Sequence, residues 1–205
     1  MTEMARFSTA QRVFLFLVIF TGAAVAQDNS FPAWQKGTLD ISPWMAGATG
    51  EELTNSFTEA QLFSAGVSFG RVMTGEFGRG WRRASLELGF DVIPVFLQTG
   101  PQTIYGGGFD PLILRFTSGH RFGRVVPYIE IGGGGFATTS NFPAGNKTSD
   151  FNFSARGGGG IHLVTKPRQS LDLGCKWFHL SNANLASFNP EFNGIQFTLG
   201  YHWFK

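Results

Sequence analysis

The stretch Ser85-Leu86-Glu87-Leu88-Gly89-Phe90-Asp91-Val92 alternates strictly between apolar residues and polar or small ones. Successive side chains of a β-strand point to opposite faces, so this period of two predicts a strand with one apolar and one polar face. Residues 63–70 repeat the pattern, with the apolar residues at odd positions. Such strands suit a sheet that has lipid on one side only.

After residue 26 the chain carries no helical period of any length, but it has eight candidate strands between turn-forming residues. They cover residues 37–48, 60–73, 82–96, 108–118, 125–137, 151–165, 170–181 and 193–204. An even number near eight is typical of the smallest membrane barrels, and closure removes the edges that an open sheet would expose to lipid. The sequence therefore predicts an all-β fold, an eight-stranded antiparallel transmembrane β-barrel in the outer membrane of a Gram-negative-type bacterium.

The predicted connections are of two kinds. Short charged turns cover residues 74–81, 119–123 and 166–169, and longer loops rich in Gly, Pro, Asn and Ser cover residues 97–107, 138–150 and 182–192. Short turns are typical of the periplasmic side and long loops of the outer side. Both chain ends of an eight-stranded barrel then lie in the periplasm.

The alternation also assigns seven charged side chains to the barrel interior. They are four acids and three bases: Glu87, Asp91, Glu130, Asp172, Arg115, Arg156 and Lys176. This balance predicts a lumen filled by ion pairs and hydrogen bonds rather than an open pore. A soluble, lipocalin-like barrel with its apolar face inward is the second interpretation.

Residues 1–26 have the pattern of an export signal. Arg6 and Arg12 precede the apolar run 13–20, and Ala24-Val25-Ala26 forms a cleavage site before Gln27. The apolar run is well short of the roughly 20 residues that a spanning helix needs. We therefore assign residues 1–26 to a signal peptide and 27–205 to the barrel.

Charge and cysteine content restrict the partners. Without the signal the chain has 14 basic and 13 acidic residues, a balance that argues against a nucleic-acid partner. The single Cys175 excludes an internal disulfide and a cysteine-based metal cluster. We expect no cofactor and no metal ion.

His179 and Ser181 lie near the outer end of the seventh strand, on its lipid-facing side. Residues two apart lie about 6.5 to 7 Å apart along a strand, a gap that these side chains can close with a hydrogen bond. A His side chain that faces hydrocarbon costs free energy unless it is hydrogen-bonded, lies near the lipid headgroups or has a function. The pair is therefore a candidate for hydrolytic chemistry.

Two residues near the start of the eighth strand are candidates to orient the imidazole. If Ser181 lies opposite Asn193, His179 lies opposite Ile195 and Asn193 is beside the Ser–His pair. Glu191 is the second candidate. Either could hold the required tautomer, Glu191 as a carboxylate and Asn193 through its amide oxygen.

Small residues predict a groove beside this pair. Pairing of the sixth and seventh strands around the turn at 166–169 places Ala155 and Gly157 near His179. Together with Ile195 they would line a shallow groove down the barrel wall. An acyl chain could lie there with its ester at Ser181.

The pattern His179-x-Ser181-Asn182-Ala183, then Asn189-Pro190, Asn193 and a last strand rich in aromatics, resembles the lipid A 3-O-deacylase (PagL) family of outer-membrane barrels. The resemblance implies hydrolysis of the ester-linked 3-hydroxyacyl chain at position 3 of lipid A. It implies Ser181 as nucleophile, His179 as general base and Asn182 as a contributor to the oxyanion site. Where the best-known members have Glu, this chain has Asn193, so Asn193 and Glu191 both stay candidates for the third catalytic residue.

The expected function is therefore an outer-membrane serine esterase, embedded in the membrane, whose partner is lipid A or lipopolysaccharide of the outer leaflet. A homodimer is left open. One alternative is a non-enzymatic small outer-membrane barrel of structural or adhesive type. Another is a phospholipid hydrolase or acyl-transfer enzyme that uses the same residues.

Overall fold

The structure is a computed structural model that describes residues 32–51, 56, 59–100, 102–142 and 147–205. The predicted signal peptide lies outside the described residues. Eight strands form one closed antiparallel barrel, as the alternation predicts. They are β1 (Leu39–Gly50), β2 (Gln61–Val72), β3 (Ala84–Thr99), β4 (Ile104–Ser118), β5 (Val125–Phe142), β6 (Ser149–Lys166), β7 (Gln169–Ser181) and β8 (Phe192–Phe204).

Each strand pairs with its sequence neighbours, and β1 pairs with β8 to close the sheet. All eight strands therefore have hydrogen-bonded partners on both sides, which a lipid environment requires. In the described part of the chain, no helix is long and apolar enough to cross a bilayer.

Two of the three predicted outer loops are shorter than the sequence predicts. β3 continues to Thr99 and β4 begins at Ile104, and the loop expected at 138–150 shrinks because β5 runs to Phe142 and β6 begins at Ser149. Beyond the lipid the outward face of a strand meets water and can carry polar residues such as Thr139, so the apolar alternation ends while backbone pairing continues. The loop expected at 182–192 agrees with the structure, since β7 ends at Ser181 and β8 begins at Phe192.

All seven charged residues assigned to the interior are buried there, and the structure adds two acids, Asp40 and Asp110. Strict alternation from the inward-facing Arg115 would put Asp110 on the lipid-facing side of β4. The register of β4 against β5 shifts between Phe109 and Leu112, and this bulge at Pro111 turns Asp110 inward. Gly134 lies opposite the bulge, where a Cβ atom would collide with the Phe109 carbonyl oxygen.

Glu130 is the centre of the ion-pair network in the middle of the lumen. One carboxylate oxygen accepts from Lys176 Nζ at 2.6 Å and the other from Arg115 Nη2 at 2.8 Å. Arg115 also binds Glu87 at 3.0 Å, and Arg156 pairs with Asp91 and Asp110. The prediction of a lumen filled by ion pairs is correct for this middle layer.

The outer end of the lumen differs from that prediction because it is apolar. Its buried cluster has these members: Ala48, Ala60, Leu62, Ile93, Phe96, Ile104, Phe136, Phe142, Phe178, Leu180 and Phe192. At the other end, a 3-10 turn at Pro32–Trp34 packs Trp34 against His162 and Phe204. Among the described residues, side chains thus fill the middle and the outer end of the lumen.

The network predicts that Glu130→Gln will destabilise the barrel. The substitution keeps the shape but removes the charge that faces Lys176 and Arg115, and breaking a buried pair costs about 3 to 5 kcal/mol. We expect a clear fall in the urea midpoint of the barrel refolded into vesicles. The control is Glu76→Gln, whose pair with Arg83 is exposed and is worth under about 1 kcal/mol. Equal midpoints for the two variants would contradict this assignment.

Candidate active site on the outer wall

His179 and Ser181 form the hydrogen bond that their spacing predicts. Both side chains lie on the lipid-facing side at the end of β7 and are half-buried. The distance from His179 Nε2 to Ser181 Oγ is 3.0 Å. This is the geometry of a hydroxyl nucleophile beside a base.

Asn193 lies opposite His179, and its Oδ1 is 2.8 Å from His179 Nδ1. The expected pairing of Ser181 with Asn193 and of His179 with Ile195 is wrong by two residues; Ile195 lies opposite Trp177. A shift of two residues leaves every side chain on the same face, so alternation alone could not distinguish the two registers. The true register brings the amide closer to the imidazole than expected.

Glu191 contacts the amide of Asn193 rather than the imidazole. Its Oε2 accepts from Asn193 Nδ2 at 3.3 Å. Ser56 contacts the same two residues, because Asn193 N donates to Ser56 Oγ at 3.2 Å and Ser56 forms a β-bridge with Glu191. Of the two candidates for the third residue, Asn193 is the one in contact with His179.

These contacts determine which atom donates and which accepts in each hydrogen bond along the row Ser181–His179–Asn193–Glu191. A carboxylate only accepts, so Glu191 requires the Nδ2 donor of Asn193 to face it. The amide oxygen of Asn193 then faces His179, which must carry its proton on Nδ1. The lone pair of Nε2 is thereby left to accept the Ser181 hydroxyl proton.

Trp177 is a site residue that the sequence reasoning did not include. Its ring stacks on the His179 imidazole, with centroids 5.5 Å apart and planes 15° apart. The signal was present, since Trp177 precedes His179 by two residues on the same face of β7. The stack restricts the imidazole on the side away from Ser181.

Asn182 does not have the position expected of an oxyanion donor. It is fully buried, its Nδ2 donates to the carbonyl oxygen of Phe188 at 2.9 Å, and its backbone N donates to Asn189 Oδ1 at 2.8 Å. Both donors are engaged by the 182–191 loop, so Asn182 holds the shape of this loop. The turn after it has left-handed backbone at Ala183 (φ 50°) and Asn184 (φ 64°).

The predicted groove residues lie around the pair. Ala155 is opposite His179 on β6, and one step towards the periplasm Trp177 lies between Gly157 and Ile195. Ala155 is exposed, while Gly157 and Ile195 are half-buried. Towards the outer rim, Phe153 lies opposite Ser181. These small and apolar residues therefore form a strip on the outer wall of the barrel, beside the imidazole.

A separate cluster has metal-ligating residue types. Among the described residues, His162, Asp172 and His202 have potential ligand atoms within 4.8 Å of one another inside the lumen. The imidazoles already have protein partners, because His202 Nδ1 binds Asp40 Oδ2 at 2.6 Å and His162 Nδ1 is 3.2 Å from Ser170 Oγ. This cluster is a hydrogen-bonded part of the lumen at the end away from Ser181.

The fold and the site define a small outer-membrane β-barrel with a hydrogen-bonded Ser–His–Asn group on its lipid-facing wall. A model of the family "Lipid A 3-O-deacylase (PagL)" matches residues 22–202. The chain belongs to this family, and it is an outer-membrane protein, as its sequence predicts.

Solved structures agree on the fold. The crystal structure of the outer membrane enzyme PagL has a TM-score of 0.53 at 18% identity, covering 78% of this chain and 97% of its own. The outer membrane protein OprG from Pseudomonas aeruginosa has a TM-score of 0.54 at 12% identity, covering 86% and 99%. A search of curated proteins found no match. None of these similarities supports the homodimer left open above.

Proposed function

We propose that this protein is an outer-membrane serine esterase that removes the ester-linked 3-hydroxyacyl chain from position 3 of lipid A. The observation that carries the proposal is the unbroken row Ser181–His179–Asn193 on the wall that faces the membrane. Membership of the lipid A 3-O-deacylase family supports the substrate. The lipid-facing position suits a substrate that is itself a lipid of the outer leaflet.

In the first step, His179 Nε2 takes the proton of Ser181 Oγ as that oxygen attacks the ester carbonyl. The imidazolium that forms is stabilised by the hydrogen bond from Nδ1–H to Asn193 Oδ1. Collapse of the tetrahedral intermediate breaks the ester, and His179 returns the proton to the sugar oxygen at position 3. The acyl chain is then held as an ester of Ser181.

In the second step, His179 takes a proton from water, which attacks the acyl–enzyme ester. Collapse of this intermediate returns the proton to Ser181 Oγ and releases a 3-hydroxy fatty acid. Lipid A leaves with a free hydroxyl at position 3. The half-buried position of Ser181 near the outer rim gives the site both lipid and water.

We assign the oxyanion donors to backbone N–H groups of the turn at Ala183 and Asn184. The left-handed conformation of both residues turns the chain sharply directly after the nucleophile and its neighbour. Backbone donors fixed before the reaction are worth about 10²–10³ in rate for each donor. Asn182, proposed from the family resemblance as a donor, acts here by anchoring this turn to Phe188 and Asn189.

The acyl chain lies along the strip formed by Ala155, Gly157 and Ile195. Ala155 leaves space directly beside the imidazole, and the exposed side chain of Trp177, between Gly157 and Ile195, offers an apolar contact to the chain. An apolar chain on this strip exchanges contacts with lipid for contacts with protein. The strip therefore positions the ester at Ser181 more than it adds binding affinity.

Glu191→Gln tests the role of the carboxylate. Gln can present either its oxygen or its nitrogen to Asn193, so the amide loses its fixed orientation and a fraction of molecules turn Nδ2 towards His179. We expect kcat to fall about tenfold, the loss of one charge-assisted hydrogen bond, with KM nearly unchanged. Steady-state deacylation of lipid A in mixed micelles measures it. An unchanged kcat would remove Glu191 from the site.

The function itself is tested by mass spectrometry of lipid A from cells with and without this protein. We expect loss of one 3-hydroxyacyl chain, from position 3, only when the protein is present. Unchanged lipid A, also in a reconstituted outer leaflet, would favour the non-enzymatic barrel. Release of fatty acid from defined phospholipids would indicate a phospholipid hydrolase instead.

A further inference from the structure

The basic residues of this barrel are gathered at the periplasmic end. Ten of the fourteen Lys and Arg residues that the structure describes lie there; we call them the basic ring: Lys36, Arg71, Arg79, Arg82, Arg83, Arg121, Arg124, Lys166, Arg168 and Lys205. Three others are in the lumen, and only Lys147 is at the outer end. The one described acid on the surface of the periplasmic end is Glu76, paired with Arg83.

The outer end has the opposite charge. Its described acids are Glu51, Glu59, Asp150 and Glu191, against the single base Lys147. The net charge of the whole chain, +2, conceals this separation. The two ends of the barrel therefore present surfaces of opposite sign to the two faces of the membrane.

The basic ring encircles the barrel. The connection from β2 to β3 carries Arg79, Arg82 and Arg83, that from β4 to β5 carries Arg121 and Arg124, and the end of β6 and its turn carry Lys166 and Arg168. Lys36 and Lys205 complete the ring where the residues just before β1 lie beside the end of β8. Eight of the ten side chains are exposed; Arg83 and Arg121 are partly buried.

Exposed aromatic side chains accompany the ring. Trp81 is 79% exposed, with the Arg82 guanidinium 5.0 Å from its ring centre, and Phe77, Phe122 and Trp203 are also exposed at this level. Aromatic residues at the boundary between lipid and water are typical of membrane barrels. This places the basic ring at the depth of the headgroups of the inner leaflet.

We propose that the basic ring binds anionic phospholipid headgroups of the periplasmic leaflet and that these lipids form a preferred shell around this end of the barrel. The ring geometry favours lipid over a protein partner, because a leaflet surrounds the barrel on all sides whereas a docked protein would cover one side. The chemistry is that of Arg and Lys with phosphodiester oxygens. The proposal needs the outer-membrane location and is independent of the esterase chemistry.

The test uses the full barrel refolded into nanodiscs of phosphatidylcholine with a minor fraction of phosphatidylglycerol. Spin-labelled forms of the two lipids report their relative association with the protein surface. One basic residue near a membrane surface contributes about 1 kcal/mol, so we expect labelled phosphatidylglycerol to associate about fivefold more strongly. Salt should weaken this preference, since screening shortens the reach of exposed charges.

The variant with Arg79, Arg82, Arg124 and Arg168 all changed to Gln should lose most of this preference, and Lys147→Gln at the outer end should keep it. Altered gel mobility on heating identifies correctly folded barrel in each sample. Equal association of the two lipids with the wild type would overturn the proposal, as would a preference that survives the fourfold substitution. Binding of a soluble acidic polypeptide without lipid preference would assign the ring to a protein partner and reject the lipid shell.

Discussion

Replacement of Ser181 by Ala should lower the rate of acyl release from lipid A by about a millionfold, the loss typical of a hydrolase without its nucleophile. The change removes the hydroxyl oxygen that lies 3.0 Å from His179 Nε2 and that would form the acyl–enzyme ester. Release of 3-hydroxy fatty acid, followed by mass spectrometry, measures the rate.

The barrel itself should be unaffected by Ser181→Ala. The side chain is half-buried at the end of β7, outside the ion-pair network of the lumen and the apolar cluster. Heat-dependent gel mobility and the urea midpoint should match those of the wild type. Ser187→Ala, an exposed serine in the same loop, is the matched control and should retain full activity. Deacylation by Ser181→Ala at more than a trace rate would reject Ser181 as nucleophile.

Replacement of Asn193 by Ala should lower kcat by about 10²–10⁴. The change leaves His179 Nδ1 without its acceptor, and an imidazole in the wrong tautomer cannot accept the serine proton. Steady-state kinetics with lipid A in mixed micelles measure the loss. A kcat within a few-fold of wild type would mean that His179 is oriented by other contacts, such as its stack on Trp177.

Two further variants separate orientation from packing, because Asn193 is buried and its truncation could disturb the fold. Asn193→Asp keeps the shape but sets two carboxylates side by side with Glu191. Combined with Glu191→Gln, the amide and the carboxylate exchange places: the bond between residues 191 and 193 reverses, but residue 193 still accepts from His179 Nδ1 and Nε2 still accepts from Ser181. We expect the double variant to recover most of the activity lost by Asn193→Asp alone. Additive losses would contradict coupling between residues 191 and 193.

The fold followed from the sequence because lipid imposes a simple rule on side-chain direction. Alternation placed Glu87, Arg115 and Glu130 inside and His179 and Ser181 outside, all correctly. The rule ceases to apply where strands leave the lipid, which is why β5 extends beyond its predicted end at residue 137. It also fails across a bulge, as at Pro111, because one extra residue reverses the faces that follow.

Only part of the candidate site could be predicted from alternation and spacing. Spacing along one strand brought His179 to Ser181, since both residues are in β7. The choice between Asn193 and Glu191 depended on the register between β7 and β8, and a shift of two residues changes partners without changing faces. The hydrogen bond between Asn193 and Ser56 joins residues 137 positions apart, and no local sequence pattern predicts such a contact.

The filled lumen has a kinetic consequence for the proposed esterase. With ion pairs at mid-height and an apolar cluster at the outer end, substrate has no route through the interior and reaches Ser181 only by lateral diffusion along the wall. Collision with the enzyme is then a two-dimensional event. Turnover should follow the mole fraction of lipid A in the leaflet, falling by surface dilution when inert lipid is added, and should be insensitive to the bulk volume in which the vesicles are suspended.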